Sequence, residues 1–365
     1  MKPTQKILNG RESVKVAIVQ TAPVFLDKDR TINKACENIA LAAKNNAELI
    51  VFGEAFVAGY PYWGEGWESP VDSWMELRTR FFDNSMLIPS EDTERLCEAA
   101  AKANAIVVIG CNEMDSRPGV YTIYNTLLYI NRDGKVLGRH RKVMPTFVER
   151  AVWGWGDGSD LISFQTDIGR IGGLICGENL MTLLRAHLIQ QGEDFHIAVF
   201  PGAFALHCGP KLEEADLTGE FFWGNASTRA HALESGSFVL SACGYITEDD
   251  ISEDFPMKQT LNIDYAHGGS SVSAPLGIPL VKPTSGDTIV YAVCPAQMIK
   301  VWKAIIDASG HYSRPDIVSL SFHPKPYQKI AEVIEKTQRG ELERYADRYE
   351  VSLKDVEAVV DQMAP

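Results

Sequence analysis

VKVAIVQ, residues 14–20, opens an alternation that runs through most of the 365-residue chain. The run is almost continuously apolar and rich in β-branched side chains, the pattern of a strand covered on both faces. Thr31–Asn46 follows, with Ile32, Ala35, Cys36, Ile39 and Ala43 at the spacing of an amphipathic helix. LIVF (49–52) reads as a second buried strand, completing one strand–helix–strand unit. The unit recurs, with Ser90 placed to cap a helix ending at Asn104 and IVVIG (106–110) as the next strand. Asn125–Ile130 and Lys135–Lys142 flank Asp133-Gly134, a hairpin signal that brings antiparallel pairing into the sheet. Further along come LISFQ (161–165), a turn at Thr166–Gly169, RIGGLIC (170–176), a helix to about Gln191 and HIAVF (196–200). A helix over Ala226–Ser235, strands FVLSA (238–242) and IVYAVC (289–294), and a helix over Ala296–Ala308 close the series. No linker, low-complexity stretch or repeat interrupts Val14–Leu320, which predicts one large α/β domain with mixed sheets.

The boundaries read as a polar leader at 1–13, a domain at 14–324 and a charged tail at 325–365. The tail carries a helix from Lys329 and a second begun by the capping pair Ser352 and Asp355, either a solvated appendage or a partner-gripping arm.

Composition removes several classes. With 45% hydrophobic and 23% charged residues the chain is neither disordered nor fibrous. A formal net charge of -13 repels phosphate backbones and anionic membranes, and the longest basic cluster is only Arg139, His140, Arg141 and Lys142. Nucleic acid is therefore not an expected partner. No apolar run approaches the roughly 18 to 20 residues of a membrane span, and MKPTQKILNGRESV lacks a signal peptide's apolar stretch, so residence in the cytoplasm is expected. The 7 cysteines are scattered without a C-x-x-C pair, and the 8 histidines show no close ligand spacing. Neither phosphate-loop nor dinucleotide glycine patterns occur, so no metal and no cofactor is expected.

Three strand ends carry chemistry-bearing residues, the place where open α/β sheets hold ligands. Glu54 follows LIVFG, Lys142 follows VLGRHR, and Cys176 sits between GGLI and a helix, where backbone N–H groups and the helix dipole are expected to lower its pKa. Singly, each has an ordinary reading: a helix cap, a solvated lysine, a buried thiol. Together they supply the base, cationic stabiliser and nucleophile of acyl transfer. Glu149 in PTFVER is either a second carboxylate for the lysine or a surface partner of Arg150.

EAFVAGYP (54–61), RKVMPTFVERAVWGWGDGSDL (141–161) and GGLICGENLMTLLR (172–185) resemble the signature regions of the nitrilase branch of the carbon–nitrogen hydrolases. HGGSSVSAPLG (267–277) and GHYSRPD (310–316) are also similar. The resemblance implies a four-layer α-β-β-α sandwich and a Glu-Lys-Cys triad. Carried over, Glu54 is the general base, Lys142 the cation, Cys176 the nucleophile and Glu149 the supporting glutamate. The activity implied is hydrolysis of an organic nitrile by water to a carboxylic acid and ammonia. An amidase or cyanide-degrading relative with the same triad is the nearest alternative. A non-catalytic scaffold and a metal hydrolase are more distant ones.

Two positions depart from the branch: Gly177 stands where tryptophan usually follows the nucleophile, and Thr182 where proline is common. A hydrogen in place of an indole predicts a wider acyl pocket. Tyr60, Trp63, Phe147, Trp153 and Phe204 lie near the motifs as candidate pocket aromatics, alongside Gly177. The resemblance further implies a homo-oligomer, dimers stacking into a spiral or filament, with Trp63–Trp74 and Leu212–Trp223 as candidate contact segments.

Overall fold

A computed structural model describes residues 6–63, 71–203, 223–253 and 255–324, with the single positions 343, 352 and 354. In chain order the strands are β1 (Ser13–Gln20), β2 (Leu49–Phe52), β3 (Ile106–Met114), β4 (Ile123–Ile130), β5 (Val136–Arg141) and β6 (Phe164–Thr166). They continue with β7 (Gly169–Ile175), β8 (Phe195–Phe200), β9 (Phe238–Cys243), β10 (Gly268–Ala274), β11 (Ile278–Ser285) and β12 (Thr288–Pro295). Two 6-stranded sheets result, ordered β12-β1-β2-β3-β4-β5 and β11-β10-β9-β8-β7-β6. Each has a parallel centre, β1-β2-β3 and β7-β8-β9, and antiparallel flanks, so the mixed pairing expected from the hairpin signal is present in both.

Strand alternation builds the layers. Val14, Val16, Ile18, Leu49, Val51, Ile106, Val108, Leu127 and Tyr129 enter one apolar core with Ile171, Ile175, Ile197, Val199 and Leu240 of the second sheet. Their alternates Ala17, Val19, Ile50, Phe52, Val107 and Ile109 pack instead on Ile32, Ala35 and Ile39 of α1 (Lys28–Lys44) and on Leu96 and Ala100. Strands apolar on both faces are sandwiched strands, and the arrangement is the expected α-β-β-α sandwich. In chain order the other helices are α2 (Val71–Asp83), α3 (Glu91–Ala103), α4 (Thr182–Gln190), α5 (Trp223–Ser235) and α6 (Ala296–Ile305). Asp27 caps α1 and Ser90 caps α3, each accepting from a backbone N–H three residues on.

Several boundaries move. The helix expected directly after Cys176 is a 3₁₀ turn, Cys176–Leu180, and α4 begins only at Thr182. The strand read at 161–165 shortens to β6, and the last helix ends at Ile305. β10 and β11 lack the apolar signal of the other strands: GGSSVSA of β10 is small and polar, and IPLVKPTS of β11 carries two prolines, which mark an edge strand. Within the leader, Ile7–Gly10 forms a 3₁₀ turn whose Leu8 is fully buried in the inter-sheet core. The chain divides into a unit of Met1–Gly156 with Asp160–Phe322 and a unit of Asp157–Ser159 with His323–Pro365. The tail helix from Lys329 and the cap at Asp355 lie outside the described residues. Cys111, Cys176, Cys243 and Cys294 are buried thiols, with no disulfide among the described residues. No described helix is long and apolar enough to cross a membrane.

One close approach links the fold to the site. A Cβ at Gly110 of β3 would stand 2.2 Å from the Gly53 carbonyl oxygen, 2.6 Å from the Ala55 nitrogen and 2.9 Å from Glu54 Cα. All three are backbone atoms that cannot swing aside. Gly110→Ala is therefore expected to cost about 1–3 kcal/mol in urea unfolding, together with a loss of turnover because the strained contact is the segment carrying Glu54. An alanine variant as stable and active as the parent would show that this segment yields.

Candidate active site

Glu54 leaves the end of β2 in a loop pinned to β3 by Val57 N–H to Gly110 O at 3.1 Å and Asn112 N–H to Val57 O at 2.8 Å. Asn112 Nδ2 adds a bond to Gly59 O at 2.9 Å. Lys142 follows β5, its N–H bonded to Asn125 O at 2.8 Å. Glu149 sits in the 3₁₀ turn Phe147–Ala151, whose entry it caps by accepting Thr146 N–H at 2.7 Å. Cys176 directly follows β7 with φ of 52°, a conformation few non-glycine residues adopt. Asn179 braces this elbow, its Nδ2 donating to the Leu174 and Cys176 carbonyls at 3.3 and 3.1 Å.

Glu54, Lys142, Glu149 and Cys176 converge in a site that is almost wholly buried. The Lys142 ammonium donates to Glu54 Oε1 at 3.0 Å and to Glu149 Oε2 at 2.7 Å. A carboxylate oxygen of each glutamate and the Cys176 sulfur lie within 4.8 Å of one another. Glu149 is not a surface partner of Arg150, which donates to the Pro145 carbonyl instead. Its other oxygen accepts from Tyr60 Oη at 2.7 Å, so three donors surround Glu149. Glu54 Oε1 also accepts from Asn125 Nδ2 at 2.6 Å, while its Oε2 has no hydrogen-bond partner.

This asymmetry divides the labour. Burial lifts Glu54, Lys142 lowers it and the neighbouring Glu149 lifts it again, leaving it at about 7. Burial opposes the charge on Lys142, but Glu149 and Glu54 hold the ammonium well above its ordinary range. The expectation of an acidified thiol is corrected: burial and the charge of Glu54 push Cys176 well up, against Lys142 and one N–H from Gly177. The 3₁₀ turn after the sulfur has 5 residues. It carries little dipole, so burial dominates. A thiol protonated at rest needs a base, and Glu54 offers a bare oxygen with a proton affinity near neutrality.

The candidate pocket aromatics separate. Tyr60 is at the site, but as the hydrogen-bond donor to Glu149. Trp153 packs edge-on to Tyr60 at 5.4 Å, its Nε1 donating to Asn112 at 3.0 Å. Trp63 is a core residue, edge-on to Phe81 at 5.3 Å and fully buried. The Phe147 ring is 76% exposed. Phe204 and most of Leu212–Trp223 lie outside the described residues. Among the described residues, a Cβ on Gly177 would meet Thr146 Oγ1 at 2.9 Å and nothing else within 4 Å. Glu54 also borders a cavity of about 10 Å³ with Thr21, Tyr62 and Tyr245, room for about one water.

Among the described residues two groups gather potential metal ligands. In the triad cluster the Lys142 ammonium already occupies the place between the carboxylates. The other is Glu193, His196 and His231, brought together from positions too distant for a spacing rule. Its two imidazoles stack at 3.8 Å and 24°, so no point about 2.0–2.1 Å from a nitrogen lies in both ring planes. Glu193 accepts from His231 Nε2 at 3.0 Å and faces His196 Nδ1 at 3.1 Å, a hydrogen-bonded cluster.

Residues 15–304 match the carbon–nitrogen hydrolase family model. The chain belongs to that family. This carbon–nitrogen hydrolase is 36% identical over 323 residues to an arylacetonitrilase of Aspergillus niger, covering 86% of this chain and 90% of that one. It is 33% identical to an aliphatic nitrilase of Rhodococcus rhodochrous, covering 87% and 81%. The fold is also that of Saccharomyces cerevisiae Nit3, a member of branch 10 of the nitrilase superfamily, with a TM-score of 0.64, 24% identity, and 84% and 98% coverage.

Sequence reading missed Asn125 as a partner of Glu54; the one signal was a polar side chain inside the apolar run IYNTLLYI. The burial of both glutamates around one lysine yields a stability test. Lys142→Met leaves two buried carboxylates uncompensated, which costs about 3–5 kcal/mol. With the ammonium gone Glu54 rises further above its unfolded value, so the folded state binds more protons and stability falls as pH rises. Urea unfolding should show a larger loss at pH 8.5 than at pH 6; an equal loss at both would mean Glu54 does not take the proton.

Proposed function

We propose that this carbon–nitrogen hydrolase is a nitrilase, converting an organic nitrile and two waters to a carboxylic acid and ammonia. The observation that carries the reading is the buried Lys142 ammonium between Glu54 and Glu149, with the Cys176 sulfur within reach and one oxygen of Glu54 unpartnered. The thiol proton passes to Glu54 as the sulfur bonds to the nitrile carbon, and Lys142 faces the charge growing on nitrogen. Nitrogen takes that proton from Glu54, giving a thioimidate. Glu54 then deprotonates a water that adds to the same carbon, and the tetrahedral adduct expels ammonia to leave a thioester. A second water, activated the same way, breaks the C–S bond to give acid and free thiol. Expulsion of the thiol from the first adduct releases amide instead.

The two relatives are named for arylacetonitriles and for aliphatic nitriles, and the absence of a side chain on Gly177, with Thr146 Oγ1 its one close neighbour among the described residues, favours the bulkier class here. The working assembly we infer is a cytoplasmic homo-oligomer, stacked dimers forming a spiral or filament, which light scattering and electron microscopy test.

Ammonia release from aliphatic, aryl and arylacetonitriles, the matching amides and cyanide is expected from nitriles, and to fall by roughly 10³-fold or more in Cys176→Ala. Activity confined to amides or cyanide would reassign the substrate class while keeping the triad. Because protonated Glu54 cannot accept the thiol proton, kcat/KM should fall as pH drops through about 7. Initial rates from pH 5 to 9 check this, and a flat profile would remove Glu54 as the base. Gly177→Trp should lower kcat/KM for arylacetonitriles more than for small aliphatic nitriles; an equal effect on both would place the acyl group elsewhere.

A further inference from the structure

The catalytic groups are divided between the two sheets, Glu54 and Lys142 at strand ends of the first and Cys176 at a strand end of the second. Something must fix the distance between them. At that seam lies a buried charge system that the reaction itself does not use. The Glu178 carboxylate accepts the Val143 N–H at 2.7 Å on Oε1 and the Ile175 N–H at 2.8 Å on Oε2. Val143 follows Lys142 and Ile175 precedes Cys176, so a single side chain grips the backbone beside both. Its Oε2 also lies 2.9 Å from His140 Nε2, and His140 Nδ1 lies 3.2 Å from Asp160 Oδ1. Asp160 closes the loop by accepting the Arg141 N–H at 3.1 Å on its other oxygen.

We propose that His140 is a positioning residue: clamped between Glu178 and Asp160, it holds the Glu178 carboxylate where that carboxylate joins the lysine strand to the cysteine elbow. Both ring nitrogens face carboxylate oxygens, which only accept, so both carry hydrogen and the ring is an imidazolium. Burial opposes that charge, but Glu178 and Asp160, the charged groups that face the ring, raise it to about 10. Glu178 is in turn held down by His140 against the opposing effect of its own burial. Without the imidazolium, Glu178 is a carboxylate with 1% exposure and no other ion pair among the described residues. It must then take up a proton or move toward water, and either change loosens the Val143 and Ile175 bonds. A displacement near 1 Å between nucleophile and cation is enough to cost about 10²-fold in rate. The charge is placed to hold geometry, since neither His140 nor Glu178 contacts the triad side chains through any of these bonds.

The proposal rests on Cys176 and Lys142 being the reacting pair, which Cys176→Ala tests by itself. His140→Gln and Glu178→Gln are each expected to lower kcat by about 10- to 100-fold with KM within about 3-fold, and to slow iodoacetamide alkylation of Cys176 in parallel. In the unaltered chain, ¹⁵N-histidine spectra at pH 8.5 should contain an imidazole with both nitrogens protonated, assigned by its loss in His140→Gln or His140→Asn. A folded His140→Gln with parental kcat, merely lower in melting temperature, overturns the proposal. So does a neutral His140 at pH 8.5, a result that needs no active variant.

Discussion

A fully buried ammonium between two carboxylates is the constraint around which the rest of this molecule is arranged. Taking Lys142 out of water costs several kcal/mol, and only close counter-charges with complete hydrogen bonding offset it. Glu149 supplies one with three donors around it, while Glu54 supplies the other with an oxygen left bare. Two negative groups around one cation leave the system one proton short of comfort, and Glu54, the less completely bonded of the two, is where that shortage is felt. The proposed base is set by what surrounds its neighbour.

The thiol follows from the same arrangement. Burial and the adjacent carboxylate push the Cys176 thiol up, so in the proposed reaction reactivity arises when its proton passes to Glu54 and not from a standing thiolate. Placing the sulfur at a left-handed elbow, rather than along a helix, brings it to the carboxylates while Asn179 satisfies the carbonyls that the sharp turn would otherwise strand.

Holding this geometry falls to backbone contacts at the seam of two sheets. Gly110 lets the Glu54 segment lie against β3 at a distance no side chain permits. Glu178 bridges Val143 and Ile175, tying one sheet to the other at the strand ends. The apolar core between the sheets sets their separation, but apolar packing is non-directional, and directional bonds are required to fix the lysine against the cysteine.

Strand and helix periodicity, the hairpin at Asp133-Gly134 and the cap at Ser90 are local, and local chemistry settled them: β1 to β5, α1 and α3 were legible from residues alone, although the Asp27 cap that starts α1 was not read. So was the placement of Glu54, Lys142 and Cys176 just past strand ends, because a strand end is a sequence position. What depended on three dimensions was the company each side chain keeps. The small polar stretch of β10 carries no apolar alternation and becomes a strand only by pairing with β9 and β11. Trp63 and Phe147, alike in sequence as aromatics near motifs, part into the core and the surface. Tyr60 becomes a donor to a glutamate 89 residues away, and His140 is charged only because Glu178 and Asp160 arrive from 38 and 20 residues along the chain. Burial, charge state and hydrogen-bond partners depend on the distance between atoms that the chain separates, so they were decided only when the two sheets closed on each other.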